Sequence, residues 1–334
     1  MKTARSLGPR ASGLWSSLIT LCLSALLACE AEPLLAPPQQ GGAQTSPEAG
    51  GIAGAEGGRA GAQGSAEPYF EGARYMREGT HVNIVHQLRF MELEEDGVAR
   101  GFDLDGRHSE DGDEESCGHG DFTSPEGREG VDNQLAELWA TIAPLVGEQA
   151  HALLQNAVNE GRVLVMLELE GVDDLWDDED VTLNIFKGDL RPHIGTQGVI
   201  APDQTFDFDY ESPISSATGL KIEGGLLIAG PLEISIPVTI LSLDVVVKVE
   251  LARVQLTLNP EGEMSGYITG ALHVPTLTEA LINTDAEREA RLVAPFFERN
   301  ADMVKVDGVC TYLSMGLSFE ATRAFVVRDL TQER

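Results

Sequence analysis

Basic residues are scarce in this chain: 23 Lys and Arg stand against 54 Asp and Glu, a formal net charge of −31 over 334 residues. Such a surface repels phosphate backbones and bare anionic membrane, so nucleic-acid binding is excluded as a function class. Long hydrophobic runs are missing as well. No stretch reaches the roughly 18 apolar residues that a membrane-spanning helix needs. Catalytic signatures are also lacking. The sequence holds no nucleophile elbow, phosphate loop or dinucleotide fingerprint. Its seven histidines, among them His81, His86, His151, His193 and His273, are scattered and form no metalloprotease helix pair. They read as polar surface or satisfied interior. Cysteine is sparse, with four residues: Cys22, Cys29, Cys117 and Cys310. Hydrophobic content of 42% and charged content of 23% are ordinary for a globular protein, so a sizeable core remains possible.

The N-terminus carries the clearest pattern. Lys2, Arg5 and Arg10 precede an apolar stretch, Gly13 to Ala28, that is too short to span a bilayer and ends in small residues, as cleaved secretion signals do. Leu26-Leu27-Ala28-Cys29 resembles the lipobox of bacterial lipoproteins, with an aliphatic residue three before the cysteine and a small one directly before it. The resemblance implies cleavage after residue 28, a diacylglycerol thioether on Cys29, and an acyl chain of the palmitate type on the new amino terminus. Glu30, rather than Asp, follows the cysteine, which by the sorting rule of enteric bacteria implies the outer membrane. Several acyl chains, at about 0.8 kcal/mol per buried CH₂, anchor far better than one. Loss of residues 1–28 removes three basic residues and no acid, deepening the charge from −31 to −34.

Residues 29–68 read as a lipidated cysteine and linker. The segment is rich in Pro, Gly, Ala, Gln and Glu, has few large apolar residues after Leu35, and cannot bury a core. Its reach as a flexible coil is about 35 Å. A β-rich domain is expected over 69–334. Residues 81–93 alternate as a strand; 94–132 form a long acidic loop; 131–160 carry helical periodicity, with Pro144 and Gly147 predicting a kink or two shorter helices and Gly161 a stop. Period-two patterns then predict strands at Arg162–Glu170, Val181–Lys187, Gly219–Ile228, Leu232–Ile240, Leu243–Leu258, Met264–Val274 and Val309–Ala321. Pro237 predicts an edge or bulge, Asn259-Pro260-Glu261-Gly262 a hairpin turn, and 276–303 a short helix around Thr278–Asn283 or Glu287–Arg299. The fold class expected is mainly β, an antiparallel β-sandwich with a helical insertion. A tubular lipid-binding fold is the alternative on shape.

Chemistry concentrates in the acidic loop. From Glu92 to Asp132 there are 15 acids against Arg100, Arg107 and Arg128. Asp and Gly interleave, as in Asp103-Leu104-Asp105-Gly106 and Asp111-Gly112-Asp113. Hard cations take six to eight oxygens, and glycine lets carboxylates and carbonyls converge. The segment resembles the Asp-rich calcium loops of extracellular bacterial domains but departs from the EF-hand: counted from Asp103, position 5 is Arg107 and the glycine comes early. The resemblance implies Ca²⁺ held by Asp103, Asp105, Asp111, Asp113, Asp121 and Asp132; the alternative is a solvated loop. A second acidic stretch, Asp173–Asp180, reads as a solvated turn. Cys117 and Cys310 remain as an even pair in an exported chain, which predicts a disulfide. The alternatives are two free thiols, or a metal site using Cys117, His108 and His119, although a structural zinc site wants four ligands.

The expected function is thus a non-enzymatic, lipid-anchored envelope lipoprotein that binds a carbohydrate, a protein or an envelope component. A lipid carrier and an envelope hydrolase are the other classes. The layout resembles surface lipoproteins of large-genome bacteria such as myxobacteria, a likeness that carries no activity.

Overall fold

The computed structural model describes residues 74–329 apart from 78, 96, 115, 241–242 and 283–286. The segments expected to be a secretion signal and a linker, with Cys29 between them, lie outside the described residues. In chain order the elements are β1 (Arg74–Tyr75), β2 (Thr80–Phe90), α1 (Gln134–Asn159), β3 (Val165–Glu170), β4 (Asp177–Asp189), β5 (Gln204–Phe208), β6 (Ser215–Glu223), β7 (Leu226–Ile240), β8 (Leu243–Leu258), β9 (Met264–His273), α2 (Val274–Ile282), α3 (Glu287–Arg299), β10 (Met303–Val306) and β11 (Val309–Asp329).

The fold is mainly β, as the period-two patterns predict. Its two layers are halves of one sheet. Strands β2, β3, β4, β6, β7, β8 and β9 each pair antiparallel with the next, and β11 pairs antiparallel with both β9 and β2. Leu317 marks the closure, lying opposite Phe90 on one side and Ile268 on the other. The joint between β6 and β7 is narrow: only Ile222 with Leu227 and Glu223 with Leu226 pair there. Beyond it the sheet folds over. Leu167, Leu169, Leu183 and Ile185 of the first layer share one buried core with Leu227, Ile234, Val254, Leu256 and Phe319 of the second. Alternation dictates this, because Leu167 lies opposite Ile185 and Leu169 opposite Leu183, putting all four on one face.

The other face of the first layer is buried too. After a bulge at Glu320/Ala321, the last third of β11 leaves β2 and runs parallel to β5, while Arg328 and Asp329 pair with β1. This places Arg328 over Glu168, with its guanidinium 2.9 Å from both carboxylate oxygens and 4.8 Å above the Phe208 ring. Burial raises the Glu168 carboxyl, and Arg328 pulls it back. Asn184, opposite Glu168, donates to it at 3.3 Å.

Three expectations change. The 131–160 region holds one helix with Pro144 inside it, so of the two forms expected, a kink or two shorter helices, the second does not occur. Pro144 is exposed and forfeits a single backbone bond, while packing of α1 on β2 holds both halves: Trp139 stacks on Phe90 at 4.5 Å, and Gln155 donates to the His86 carbonyl at 2.8 Å. The strand expected at Gly219–Ile228 is instead a hairpin, because Gly224 and Gly225 both take positive φ and turn the chain. Both candidate helices of 276–303 form, rather than one. Other features hold. Gly161 follows the helix with φ +79°, and Gly262 donates to the Asn259 carbonyl in the β8–β9 turn. Pro237 sits where β7 has left β6 behind. β5 was not foreseen, since its five residues carry too short a pattern.

Candidate functional site

The acidic loop is folded by apolar residues hidden among its charges. Ala99, Phe122 and Val131 form a small core. Phe102 and Leu104 reach a second one with Met91, Tyr267 and Met303. Short bridges join Val98 to Thr123 and Phe122 to Val131. Close approach needs Gly101: a Cβ there would come within 2.8 Å of Val131 Cγ1. Gly130 is equally confined, with φ +81° and the Arg107 carbonyl 3.0 Å from where its Cβ would lie. These two glycines let the 101–107 segment lie against 130–132.

That juxtaposition gathers carboxylates. Among the described residues, Asp103, Asp105 and Asp132 each bring an oxygen within 4.8 Å of the others. Asp132 is 3% exposed and accepts the Leu104 N–H at 2.7 Å. Asp103 accepts from Gly106 N at 2.6 Å and Asp105 from Arg107 N at 2.9 Å, so both are fixed in place by their own turn. Asp121 stands close enough to act electrostatically on Asp105 and Asp132, and accepts the Ser109 N–H at 2.6 Å. Burial raises the Asp132 carboxyl to about 8; the Leu104 bond pulls it down, and Asp105, Asp121 and Asp302 push it further up. Asp105 and Asp121 are raised by burial as well.

Of the six predicted aspartates the structure gathers three in close range and a fourth beside them. Asp111 and Asp113 do not join. Asp111 instead receives the Gly120 N–H at 3.2 Å, and the Asp113 carbonyl receives that of Gly118 at 2.8 Å, so both serve a neighbouring turn. Sequence reading missed Asp302. This buried residue, raised to about 6 by desolvation, accepts both the hydroxyl (2.5 Å) and the N–H (2.8 Å) of Ser314. The Ser314 oxygen in turn accepts the first N–H of α1 from Gln134 at 2.7 Å. A chain of hydrogen bonds thus ties the helix start to the floor beneath the loop. Nothing local in the sequence marks Asp302, whose partners Tyr312 and Ser314 are ten and twelve residues away.

The predicted disulfide is present. Cys117 bonds Cys310, with Cα atoms 6.1 Å apart, and pins the loop to the start of β11. Lys305 adds a bond from Nζ to the Glu114 carbonyl at 2.6 Å. His119 points elsewhere, with Nε2 3.2 Å from the Arg299 carbonyl. Of the second acidic stretch, Asp177–Asp180 belong to β4 rather than to a turn. No helix of the described residues is long and apolar enough to cross a membrane. No protein-family model matches the chain, and neither does any curated protein or solved structure.

Proposed function

We propose that this protein is an exported, lipid-anchored lipoprotein of the cell envelope with a binding or structural role, whose acidic loop is held in its folded form by a divalent cation of the Ca²⁺ type. The lipobox-like Leu26-Leu27-Ala28-Cys29 supports the anchor. The observation that carries the cation is the convergence of Asp103 and Asp105 on Asp132, a carboxylate withdrawn from water among charges of its own sign. Burial of like carboxylates is costly without a counter-charge. All the donors are hard oxygens, which favours Ca²⁺ or Mg²⁺ over zinc or copper. Asp103, Asp105 and Asp132 would hold the ion, with Asp121 beside them; the ion would act structurally, as an electrostatic cross-link between the 103–105 and 130–132 segments.

Two measurements test the reading. Intact-mass analysis of the protein extracted from membranes is expected to show a chain that begins at Cys29 and carries acyl mass. A chain still beginning at Met1, or released without lipid, refutes the anchor. Calorimetric titration of the chelator-stripped protein with CaCl₂ is expected to give saturable binding near one equivalent. Heats no larger than those of the Asp132→Asn variant refute the cation.

A further inference from the structure

Trp176 makes an unusual use of a large aromatic ring. It is 59% exposed, yet its backbone is clamped on both sides: its N–H donates to Asp174 Oδ1 at 2.8 Å, and its carbonyl accepts from Gly225 N at 2.8 Å. The Asp178 carboxylate locks the same turn by accepting the N–H groups of Asp173 (2.7 Å) and Asp180 (3.1 Å). One side of the indole lies on Gly225. A Cβ at that glycine would stand 3.4 Å from Cε3 and 3.5 Å from Cζ3, at van der Waals contact with the ring. Trp176 lines a cleft of about 390 Å³ with His81, Asp173, Leu258, Asn259 and Pro260. Rigid exposed tryptophan in a concave, mixed apolar and polar setting is the pattern of a ligand platform, not of a solvated turn.

The lining identifies the ligand class. No lysine or arginine is among the described residues of the cleft, and Asp173 and Asp174 are, so phosphate, sulfate and uronic acids are repelled. A quaternary ammonium would want several electron-rich aromatic walls of the Trp, Tyr or Phe kind around it; among the described lining residues Trp176 is the one such ring, and His81 with Val172, Leu175, Leu258 and Pro260 supply the rest. A neutral sugar satisfies both halves. Its C–H face covers the indole, and its hydroxyls donate to the aspartate carboxylates and bond the Asn259 amide. We infer that the Trp176 cleft is a binding subsite for a neutral oligosaccharide. This assignment is independent of the lipid anchor and of the cation, and holds or fails without them.

The test is a fluorescence titration of the full chain with maltotriose, cellotriose, chitotriose and mannotriose, with tetramethylammonium chloride as the competing class. The chain has three tryptophans: Trp15, in the leader, Trp139, which is buried, and Trp176. The signal that vanishes in Trp176→Phe or Trp176→Ala is therefore that of the cleft. At least one trisaccharide is expected to give a saturable shift and to protect Trp176 from acrylamide quenching in the unaltered protein. By calorimetry, Trp176→Ala is expected to weaken that binding at least tenfold, and Trp176→Phe, which keeps a flat ring, by less. Asp173→Asn, whose amide oxygen still accepts a hydroxyl without the charge, is expected to weaken sugar binding, but by less than Trp176→Ala. The inference is overturned if no trisaccharide saturates or protects, if affinity is unchanged in Trp176→Ala, or if tetramethylammonium alone saturates and loses its affinity in Asp173→Asn.

Discussion

Replacing Asp132 by Asn separates two roles of one carboxylate. The amide keeps the shape and can still accept the Leu104 N–H, but it cannot be charged. In the folded chain without a cation, this carboxyl titrates near 8 against an ordinary 3.8. A group raised in this way favours folding fully below about pH 4, and its contribution fades as pH climbs through the folded value near 8. At 1.36 kcal/mol per unit the full swing is on the order of 5 kcal/mol, an upper figure for a site that retains some water. In chelator, then, the unaltered protein is expected to lose stability from pH 5 to pH 8, whereas Asp132→Asn loses markedly less. Calcium reverses the comparison. At a free concentration about a hundred times the dissociation constant, binding to the folded state alone adds about 2.7 kcal/mol. For a domain of this size that is roughly 5–10 °C in melting temperature. The expected result at pH 8 is a rise of that order in the unaltered protein and under about 2 °C in Asp132→Asn. Calorimetric melts in EDTA and in CaCl₂, at several pH values, decide it. Equal calcium shifts in the two proteins, or parallel pH profiles in chelator, refute the argument.

Other outcomes follow from neighbouring parts of the fold. Converting both Cys117 and Cys310 to Ser opens a loop of 193 residues, and denaturant titration is expected to show a loss of up to about 5 kcal/mol by the chain-entropy account; a loss under 1 kcal/mol refutes the cross-link as a stabiliser. Asp302→Ala strips the Ser314 hydroxyl and N–H of their acceptor, costing about 2–4 kcal/mol in the same assay, with faster amide exchange in the first turn of α1. Arg328→Met leaves buried Glu168 with only the more distant Arg77, 3.8 Å away, at a cost of up to about 3–5 kcal/mol near neutral pH that shrinks as the medium is acidified and Glu168 takes up a proton.

How much of this was readable beforehand depends on the range of each interaction. The β8 strand, Leu243–Leu258, falls at its expected bounds, and the β8–β9 turn was visible in Asn259-Pro260-Glu261-Gly262, because alternation and turn chemistry are properties of neighbouring residues. The hairpin at Gly224-Gly225 was overlooked because Gly219–Ile228 alternates well enough to pass for one strand. Asp103 and Asp105 were legible as a local turn. Asp132 was grouped with them in advance, but so were Asp111 and Asp113; which of the six converge was not readable, since it depends on Phe102, Leu104 and Val131 finding hydrophobic partners. Trp176 looked like part of an acidic turn until Gly225 was seen beneath it.

The chain's own order of residues determined the strongly acidic composition, the lipobox-like pattern Leu26-Leu27-Ala28-Cys29, the strand periodicity and the pairing of Cys117 with Cys310 as an expectation. Each is a matter of composition or of spacing within a few residues. Only the tertiary structure decided that the sheet closes through β11, that α1 is one helix, that Arg328 covers Glu168, and that three of six aspartates converge while Asp302 lies buried below the start of the helix. Those outcomes come from burial: which groups lose water is settled by residues distant in the chain, and desolvation then changes what a carboxylate can do.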